Sequence, residues 1–269
     1  MEQLEDKERR LDGILREMGD AVVAFSGGVD SSYLLYKAAQ VLGLRALAVT
    51  AISETYPEAD LAAARELAGR LKIDHLEIRT SELEDRDFAA NPPHRCYICK
   101  RELFAKLAAV ATNRGYRWLA FGANADDQFD HRPGHRAADE AGARSPLFEA
   151  GLTKADIREL SRRAGLPTWD RPASPCLASR FPYGETITAA KLKQVAAAEA
   201  ALRSEGFEEL RVRYHGPVAR LELRPEDLGR ALAHRERIAA QLKATGFTYV
   251  ALDLEGYRSG SLNEVLRLG

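Results

Sequence analysis

This sequence of 269 residues has few cysteines, a net charge close to zero and no long apolar runs. Three cysteines are an odd count, which argues against a framework of disulfide bonds and favours a reducing compartment. The formal net charge of −1 provides no overall basic field for binding nucleic acid. No apolar run is long enough to cross a bilayer, and the charged N-terminus lacks the apolar core of a signal peptide. We therefore expect a cytoplasmic protein that has neither a membrane nor a nucleic acid as its partner.

One stretch near the N-terminus has the pattern of an anion-binding site. Five mostly apolar residues, Ala21 to Phe25, predict a buried parallel strand, and the heptad SGGVDSS follows at positions 26–32. Its glycines make a turn that larger side chains would block, and its last residues open a helix. The N–H groups and the dipole at a helix N-terminus favour phosphate. The candidate ATP ligands here are Ser26, Gly27, Gly28, Asp30, Ser31 and Ser32.

The same heptad lacks the lysine that follows the glycines of a Walker A loop. Its carboxylate, Asp30, would repel a bare anion and is better explained as a Mg²⁺ ligand or as the cap of the helix. The alternative to a nucleotide site is an ordinary capped strand-to-helix turn. The complete heptad between a strand and a helix favours the functional interpretation.

Strands and helices alternate along the first part of the chain. Further strands and a helix are predicted at Leu44–Thr50, Glu58–Leu71, Asp74–Thr80 and Trp118–Gly122. This order predicts an α/β fold with a doubly wound parallel sheet, whose ligands bind at the carboxyl ends of the strands. Gly122 lies at such an end and permits the close approach of ATP. Asp126 and Asp127 follow it, either as ligands of ribose or Mg²⁺ or as part of a capped turn.

The composition shifts after Gly184, and the order α-β-β-α-β predicts a small antiparallel α+β domain there. We divide the chain into an ATP domain at 1–184 and a smaller domain at 185–269, which we expect to bind the substrate phosphate and to mediate oligomerisation.

Two features of the second domain predict a site. Glu199 falls on the apolar stripe of its first helix, so it either pairs with Arg203 or faces a ligand. Arg211 and Arg213 share one face of the following strand and could bind a phosphate. The alternative for the two arginines is a solvated basic face paired with Glu222.

The three cysteines lie in proline-rich loops rather than in core segments. Cys96 and Cys99 follow two prolines and precede a helix predicted from Arg101, where thiolates are favoured and Lys100 adds positive charge. Cys176 lies in a second such loop. Three thiolates suit a zinc ion with an open fourth position or a cubane iron–sulfur cluster. Two alternatives hold no metal: Cys176 acts alone as nucleophile or sulfur donor, or the three are unrelated buried residues.

Four segments together resemble the LarE family of the PP-loop ATP pyrophosphatases, which have an adenine nucleotide alpha hydrolase-like fold. They are SGGVDSS, RCYICK, PASPCLASRFPYG and LDLEGYRSGSLNE, and they extend from Ser26 to Glu264. The resemblance implies an ATP-dependent sulfur transferase that acts in the biosynthesis of the nickel-pincer nucleotide. This nucleotide is the cofactor of lactate racemase. Such an enzyme adenylates a carboxylate of pyridinium-3,5-biscarboxylic acid mononucleotide, releases pyrophosphate and converts the adenylate to a thiocarboxylate.

The resemblance also implies a sulfur source and a set of site residues. LarE proteins with one cysteine sacrifice its sulfur, whereas those with three resemble [4Fe-4S] enzymes whose open iron holds a sulfide. This chain resembles the second group because it has three cysteines, Cys96, Cys99 and Cys176. We therefore expect it to use ATP and Mg²⁺, to receive sulfide from an external donor and to form a homo-oligomer. Implied as catalytic are Cys176, Lys100 and Asp30; implied near the substrate phosphate are Ser179, Glu199, Arg211, Arg213 and Arg258.

Three other functions compete with this interpretation. A cluster-dependent PP-loop tRNA thiolase would use the same chemistry on a nucleobase. A glutamine- or ammonia-dependent PP-loop synthetase would need no cysteines. A non-enzymatic nucleotide- or iron-sensing module would bind ATP without producing pyrophosphate.

Overall fold

The computed structural model of the chain describes residues 3–56, 58–129, 133–172, 175–258 and 260–266. The chain forms two compact units, one of Met1–Glu82 with His94–Ser174 and one of Leu83–Pro93 with Pro175–Gly269. Positions 173, 174 and 259, which fall in the segments that carry the resemblance, lie outside the described residues. The functional division into an ATP domain at 1–184 and a substrate domain at 185–269 stays a prediction.

The secondary structure alternates strands and helices as expected. In chain order the elements are α1 (Leu4–Met18), β1 (Ala21–Ala24), α2 (Val29–Leu42), β2 (Ala46–Ile52), α3 (Glu58–Leu71), β3 (Asp74–Arg79), α4 (Arg86–Ala89), α5 (Arg95–Arg114), β4 (Leu119–Ala120), α6 (Pro133–Glu140), α7 (Pro146–Glu149), α8 (Lys154–Arg163), α9 (Ala189–Ser204), β5 (Leu210–His215), β6 (Val218–Leu223), α10 (Leu228–Ala233), α11 (Arg235–Ala244) and β7 (Tyr249–Leu252). Within the described ranges, no helix combines the length and the apolar character that crossing a membrane requires.

The first unit contains the predicted parallel sheet, in the order β3-β2-β1-β4. Side chains of β1 alternate between two cores because successive strand residues point to opposite faces. Val23 packs in one core with Leu15 of α1 and Ile157 of α8, while Val22 packs in the other with Phe104 of α5. Helices therefore cover both faces of the sheet, and the predicted doubly wound α/β fold is confirmed. The carboxyl end of β1 leads directly into the glycine turn.

The second unit contains a sheet in the order β5-β6-β7. β5 and β6 form an antiparallel hairpin, with Arg211 opposite Glu222 and Arg213 opposite Arg220. The expectation of a purely antiparallel sheet was wrong, because β7 runs parallel to β6. The two helices α10 and α11 lie between these strands in sequence and provide the long crossover that a parallel pair requires.

One predicted boundary near the cysteines was also wrong. α5 begins at Arg95 rather than at Arg101, so Cys96 and Cys99 lie in its first turns and not before it. The two prolines at 92 and 93 do not delay the helix, since a proline restricts the residue before it and blocks helix only from within.

Candidate active site

The loop at 26–28 turns its carbonyl groups outward against neighbouring side chains. The hydroxyl of Tyr56 donates to the carbonyl oxygen of Ser26 at 2.9 Å, and Nη1 of Arg171 donates to that of Gly27 at 3.1 Å. Because the C=O and N–H of a trans peptide point in opposite directions, the N–H groups of Gly27 and Gly28 point away from these partners. The loop can therefore offer these N–H groups to an anion.

Gly27 is required by conformation and by space. Its φ is +67°, a region that side chains with a Cβ rarely adopt, and a Cβ there would lie 3.3 Å from the carbonyl oxygen of Asp60. Asp60 also accepts a hydrogen bond from the guanidinium of Arg171. One arginine thus fixes both the loop and the helix α3 packed against it.

The two serines that open α2 have different surroundings. Oγ of Ser31 accepts the N–H of Ser26 at 3.2 Å and donates to the carbonyl of Gly28 at 3.2 Å, so this hydroxyl braces the loop. Ser32 is fully buried, and its Oγ has no hydrogen-bond partner among the described residues. An unpaired buried hydroxyl is costly, and a phosphate oxygen is a partner it would suit.

Of the two carboxylate oxygens of Asp30, one has hydrogen-bond partners among the described residues and the other has none. Its Oδ2 accepts from Nζ of Lys154 at 2.7 Å and from Nδ2 of Asn124 at 3.4 Å. Its Oδ1 is buried and lacks a hydrogen-bond partner in the described chain. Mg²⁺ prefers hard oxygen ligands and is commonly held by one or two carboxylates together with substrate phosphates. The unsatisfied oxygen of Asp30 fits such an ion.

Gly122 and the two aspartates after it have packing reasons of their own. A Cβ at Gly122 would lie 2.9 Å from the backbone nitrogen of Ser31, so only glycine lets β4 approach the start of α2. Oδ2 of Asp126 accepts the N–H of Lys154 at 2.8 Å, and Oδ2 of Asp127 accepts that of Asn124 at 3.0 Å. Both aspartates thus hold the loop after β4, as in the capped turn that was the alternative to a ribose or Mg²⁺ site.

The cysteines are accessible. Cys96 and Cys99 are separated by three positions on the first turns of α5, so they share one face of the helix; Cys96 is exposed and Cys99 half-buried. Lys100 is exposed beside them. Cys176, in the second unit, is exposed at the start of a short 3₁₀ turn. No group of three or more His, Cys, Asp or Glu side chains among the described residues is arranged to hold a metal ion. The assembly of the three thiols at one cluster stays a prediction.

The loop that carries Cys176 is clamped by a buried ion pair. Nε and Nη2 of Arg180 donate to the two oxygens of Glu199 at 2.7 and 3.0 Å. Nη1 of Arg180 donates to the carbonyl of Pro175 at 2.8 Å and to Oγ of Ser179 at 3.0 Å. The side chains of Arg180 and Glu199 are 4% and 1% exposed. Arg180 therefore ties the backbone next to Cys176 to helix α9.

Glu199 has no acceptor capacity to spare. Besides Arg180, it receives the N–H of Val212 at 3.1 Å and Nη2 of Arg203 at 3.0 Å. Burial alone would raise the pKa of this carboxyl, but the attraction of Arg180 and these hydrogen bonds hold the pKa below its usual range. The pairing with Arg203, the alternative to a ligand site, is present, and the structure adds Arg180 as a buried partner. The assignment of Glu199 to the substrate phosphate stays a prediction.

Two arginines of β5 differ in their partners. Arg213 is 2% exposed and forms a bidentate pair with the buried Glu222 at 2.9 and 2.8 Å. Arg211 is 6% exposed and, within the described ranges, donates only to the phenol of Tyr257, at 3.0 Å, with the guanidinium 4.7 Å from the ring centroid. Burial lowers the pKa of Arg211. Both arginines are buried, so the alternative of a solvated basic face was wrong.

Of the other two predicted residues, Ser179 contacts Arg213, and Arg258 does not pair with either arginine's partners in the part of the chain that the structure describes. The carbonyl of Ser179 accepts from Nη1 of Arg213 at 2.6 Å, and Oγ of Ser261 accepts from its Nη2 at 2.8 Å. Arg258, by contrast, forms ion pairs with Glu255 and Glu264 at the surface. Arg211 is thus the buried cation of this unit that lacks a carboxylate partner within the described residues.

Sequence reasoning did not single out Lys154, Arg171 or Arg180. Arg180 follows directly on the cysteine loop, but nothing local links it to Glu199. Lys154 carried one usable signal: it is the first residue of a helix, where a positive charge opposes the helix dipole and needs a partner.

The parallel sheet, the glycine turn and the buried loop hydroxyl define an α/β protein of the PP-loop, adenine nucleotide alpha hydrolase-like class. In agreement, the asparagine synthase family matches residues 15–123. The chain is 40% identical over 267 residues to the pyridinium-3,5-bisthiocarboxylic acid mononucleotide synthase of Lactiplantibacillus plantarum, covering 99% of this chain and 97% of that protein. This chain belongs to the LarE family.

Two other relatives differ in how much of this chain their similarity covers. An uncharacterised protein of Synechocystis sp. is 43% identical over 265 residues, covering 98% of this chain and 99% of its own. The tRNA-specific 2-thiouridylase MnmA of Xanthobacter autotrophicus is 34% identical over 210 residues, covering 62% of this chain and 53% of that protein. The similarity to a tRNA-modifying enzyme is therefore partial, whereas the similarity to the synthase extends along both units.

Proposed function

We propose that this chain uses ATP to convert a carboxylate of pyridinium-3,5-biscarboxylic acid mononucleotide to a thiocarboxylate, in the biosynthesis of the nickel-pincer nucleotide cofactor. The observation that carries the proposal is the similarity to the L. plantarum synthase, which extends over 99% of this chain. The reaction has two parts. A carboxylate oxygen first attacks the α-phosphorus of ATP and pyrophosphate leaves; a sulfur nucleophile then attacks the carbonyl carbon and AMP leaves.

The first unit would carry the activation. The outward carbonyls of Ser26 and Gly27 leave N–H groups for the phosphates, and Ser32 adds a buried hydroxyl. Oδ1 of Asp30 would bind Mg²⁺ on the phosphate oxygens. These groups stabilise charge on the departing pyrophosphate and so favour adenylation. Adenylation gives the carboxyl carbon a good leaving group, AMP, in place of a poor one, the carboxylate oxygen. In the second unit, Arg211 would bind the phosphate of the pyridinium nucleotide through charge-assisted hydrogen bonds.

The sulfur step depends on the cysteines. Cys96, Cys99 and Cys176 are accessible thiols, and three such ligands suit a [4Fe-4S] cluster with one open iron. When bound, the cluster would supply a sulfur nucleophile at neutral pH. The helix dipole at the start of α5 and the exposed Lys100 favour the thiolate form of the first pair. Arg180 would hold the backbone of the Cys176 loop in place.

The test uses anaerobically purified protein with ATP, Mg²⁺, sulfide and the pyridinium nucleotide. We expect pyrophosphate and AMP in equal amounts, and a product whose mass reflects exchange of one oxygen for sulfur. Cys176→Ala should still release pyrophosphate, because activation precedes sulfur transfer, but should form no thiocarboxylate. Glu236→Ala, at an exposed position of the second unit, is the matched control. ADP and inorganic phosphate as products would contradict the proposal.

The partial similarity to a tRNA thiouridylase supplies the competing substrate. Replacing the pyridinium nucleotide with unmodified tRNA in the same assay should yield no pyrophosphate above background. Release with tRNA and none with the pyridinium nucleotide would assign the chain to RNA modification instead. Formation of an amide when ammonia or glutamine replaces sulfide, retained after all three cysteines are replaced by alanine, would favour an ammonia-dependent synthetase.

A further inference from the structure

Asn91 has an unusual backbone conformation for its place in the sequence. Its φ is +57°, in the left-handed region, although Pro92 follows it and a residue before a proline ordinarily adopts extended backbone. Asn91 lies just after the short helix α4, and its N–H donates to the carbonyl of Phe88 at 2.9 Å. A left-handed residue commonly ends a helix, and glycine is the usual choice there. An asparagine at this position therefore indicates a use for its side chain.

The side chain of Asn91 holds the segment that follows the Cys176 loop. Asn91 is fully buried, and its Nδ2 donates to the carbonyl oxygens of Pro182 at 2.6 Å and of Phe181 at 3.4 Å. Its own carbonyl accepts the N–H of Gly184 at 3.0 Å. Ending α4 requires none of these contacts, so Asn91 has a second role in holding residues 181–184.

These contacts join two segments that each lead to a cysteine. Cys96 lies five positions after Asn91, and Cys176 lies six positions before Pro182. Both of the joined segments, 83–93 and the chain from 175 onward, belong to the second unit. The two cysteines are far apart in the sequence, and the entropy lost on bringing two positions together grows with the length of chain between them. The contacts of Asn91 replace this long path with a short one.

Resting on the function proposed above, we propose that Asn91 is a positioning residue that anchors the chain entering α5 to the end of the Cys176 loop and keeps Cys96 within reach of Cys176. The loop is thereby fixed at both ends, because Arg180 holds the carbonyl of Pro175 at its start. Asn91 acts through the backbone of both segments and transfers no proton.

Thiol bridging in the full chain tests this assignment. A Cys99→Ala protein has two thiols, Cys96 and Cys176, and dibromobimane becomes strongly fluorescent only when it has alkylated two thiols. We expect a bridge within one chain, identified by mass spectrometry. In this background, Asn91→Gly tolerates the positive φ but lacks the amide, and Asn91→Asp replaces the donor with an ionised acceptor. Each should lower the yield of the bridge about 10-fold, the effect of one lost buried donor.

Two controls separate positioning from a general loss of structure. Asn263→Gly removes a different contact to the same segment, the hydrogen bond that Oδ1 of Asn263 accepts from Tyr183 at 2.9 Å, and should leave the bridge unchanged. Monobromobimane should label each thiol at the same rate in every variant. No bridge in the Cys99→Ala protein, a bridge only between two chains, or a bridge unchanged in both Asn91 variants would each overturn the proposal. An equal fall in the labelling of single thiols would overturn it too.

Thiocarboxylate formation is assayed separately, on the chain with all three cysteines. A protein that shows the Asn91-dependent bridge and never forms a thiocarboxylate would refute the proposed function alone.

Discussion

The loop at 26–32 in the first unit and the buried arginines Arg180, Arg211 and Arg213 in the second unit differ in how their polar groups are hydrogen-bonded. In the loop, the carbonyls of Ser26 and Gly27 accept from Tyr56 and Arg171, while Ser32 Oγ and Asp30 Oδ1 are buried and have no hydrogen-bond partner among the described residues. Around these arginines, the two oxygens of Glu199 and the guanidinium of Arg213 are fully engaged by internal ion pairs.

The comparison separates polar groups that are available to bind a ligand from polar groups that stabilise the backbone. A buried polar atom without a partner is costly, so those of the loop are best explained by a ligand. A buried charge with a complete set of partners is already compensated and serves to fix the backbone. By this criterion Arg211, whose partner is a neutral phenol, belongs with the loop atoms, and Glu199 belongs with the scaffold.

The largest expected effect is on stability and follows from Glu199. Glu199→Ala leaves Arg180 buried without its carboxylate, which should lower the free energy of unfolding by about 3–5 kcal/mol. The measurement is urea unfolding followed by circular dichroism. Glu236→Ala, which breaks an exposed ion pair in the same unit, should have little effect. Equal losses in the two variants would contradict the scaffold role of Glu199.

A second expected effect is on nucleotide binding, through Gly27. Gly27→Ala places a Cβ 3.3 Å from the carbonyl of Asp60 and should distort the N–H groups of the loop, with ATP affinity falling about 100-fold. Gly43→Ala is the matched control, since Gly43 also has positive φ, at +59°, but open space around it. Both variants place a Cβ at a residue with positive φ, but only the loop variant alters the candidate ATP site, so only it should lose ATP in a calorimetric titration. Equal affinities in the two would remove the loop as the ATP site.

The third prediction contrasts two neighbouring arginines. Arg211→Met should weaken binding of the pyridinium nucleotide about 10-fold, the loss of one charge-assisted contact, without lowering stability. Arg213→Met should destabilise the protein, because the buried Glu222 loses its bidentate partner and keeps only the ion pair with the half-exposed Arg220 among the described residues. Substrate titration and urea unfolding of both variants check the contrast. A stability loss in Arg211→Met that matches Arg213→Met would place both residues in the scaffold.

The smallest effect is a pH dependence at His75 in the first unit. Burial lowers the pKa of His75 below its ordinary value of 6.5, so the folded state favours the neutral ring. The stability that this provides is present above pH 6.5 and is lost as the pH falls through the lowered pKa. His75→Gln should flatten the fall in urea midpoint between pH 7.5 and 5.5, values chosen to lie about one unit either side of the ordinary pKa. Replacement of the exposed His94 by Gln should leave the slope unchanged.

Local features of the sequence predicted local features of the structure. The apolar run before Ser26 and the glycine pair after it are contiguous, so the strand, the turn and the helix could be read directly. Lys154 could not be placed beside Asp30, because 124 positions separate them in the chain. The start of α5 was missed because two prolines were taken to interrupt the helix, although a helix can begin directly after them.

Isotope transfer tests the central claim, that this chain activates a carboxylate by adenylation, most directly. The pyridinium nucleotide is prepared with oxygen-18 in its carboxylates and converted with unlabelled ATP, Mg²⁺ and sulfide under anaerobic conditions. The account predicts that one labelled oxygen appears on the phosphate of AMP, because the attacking oxygen stays with phosphorus when sulfur displaces AMP. Label in inorganic phosphate, or AMP that carries none, would contradict it.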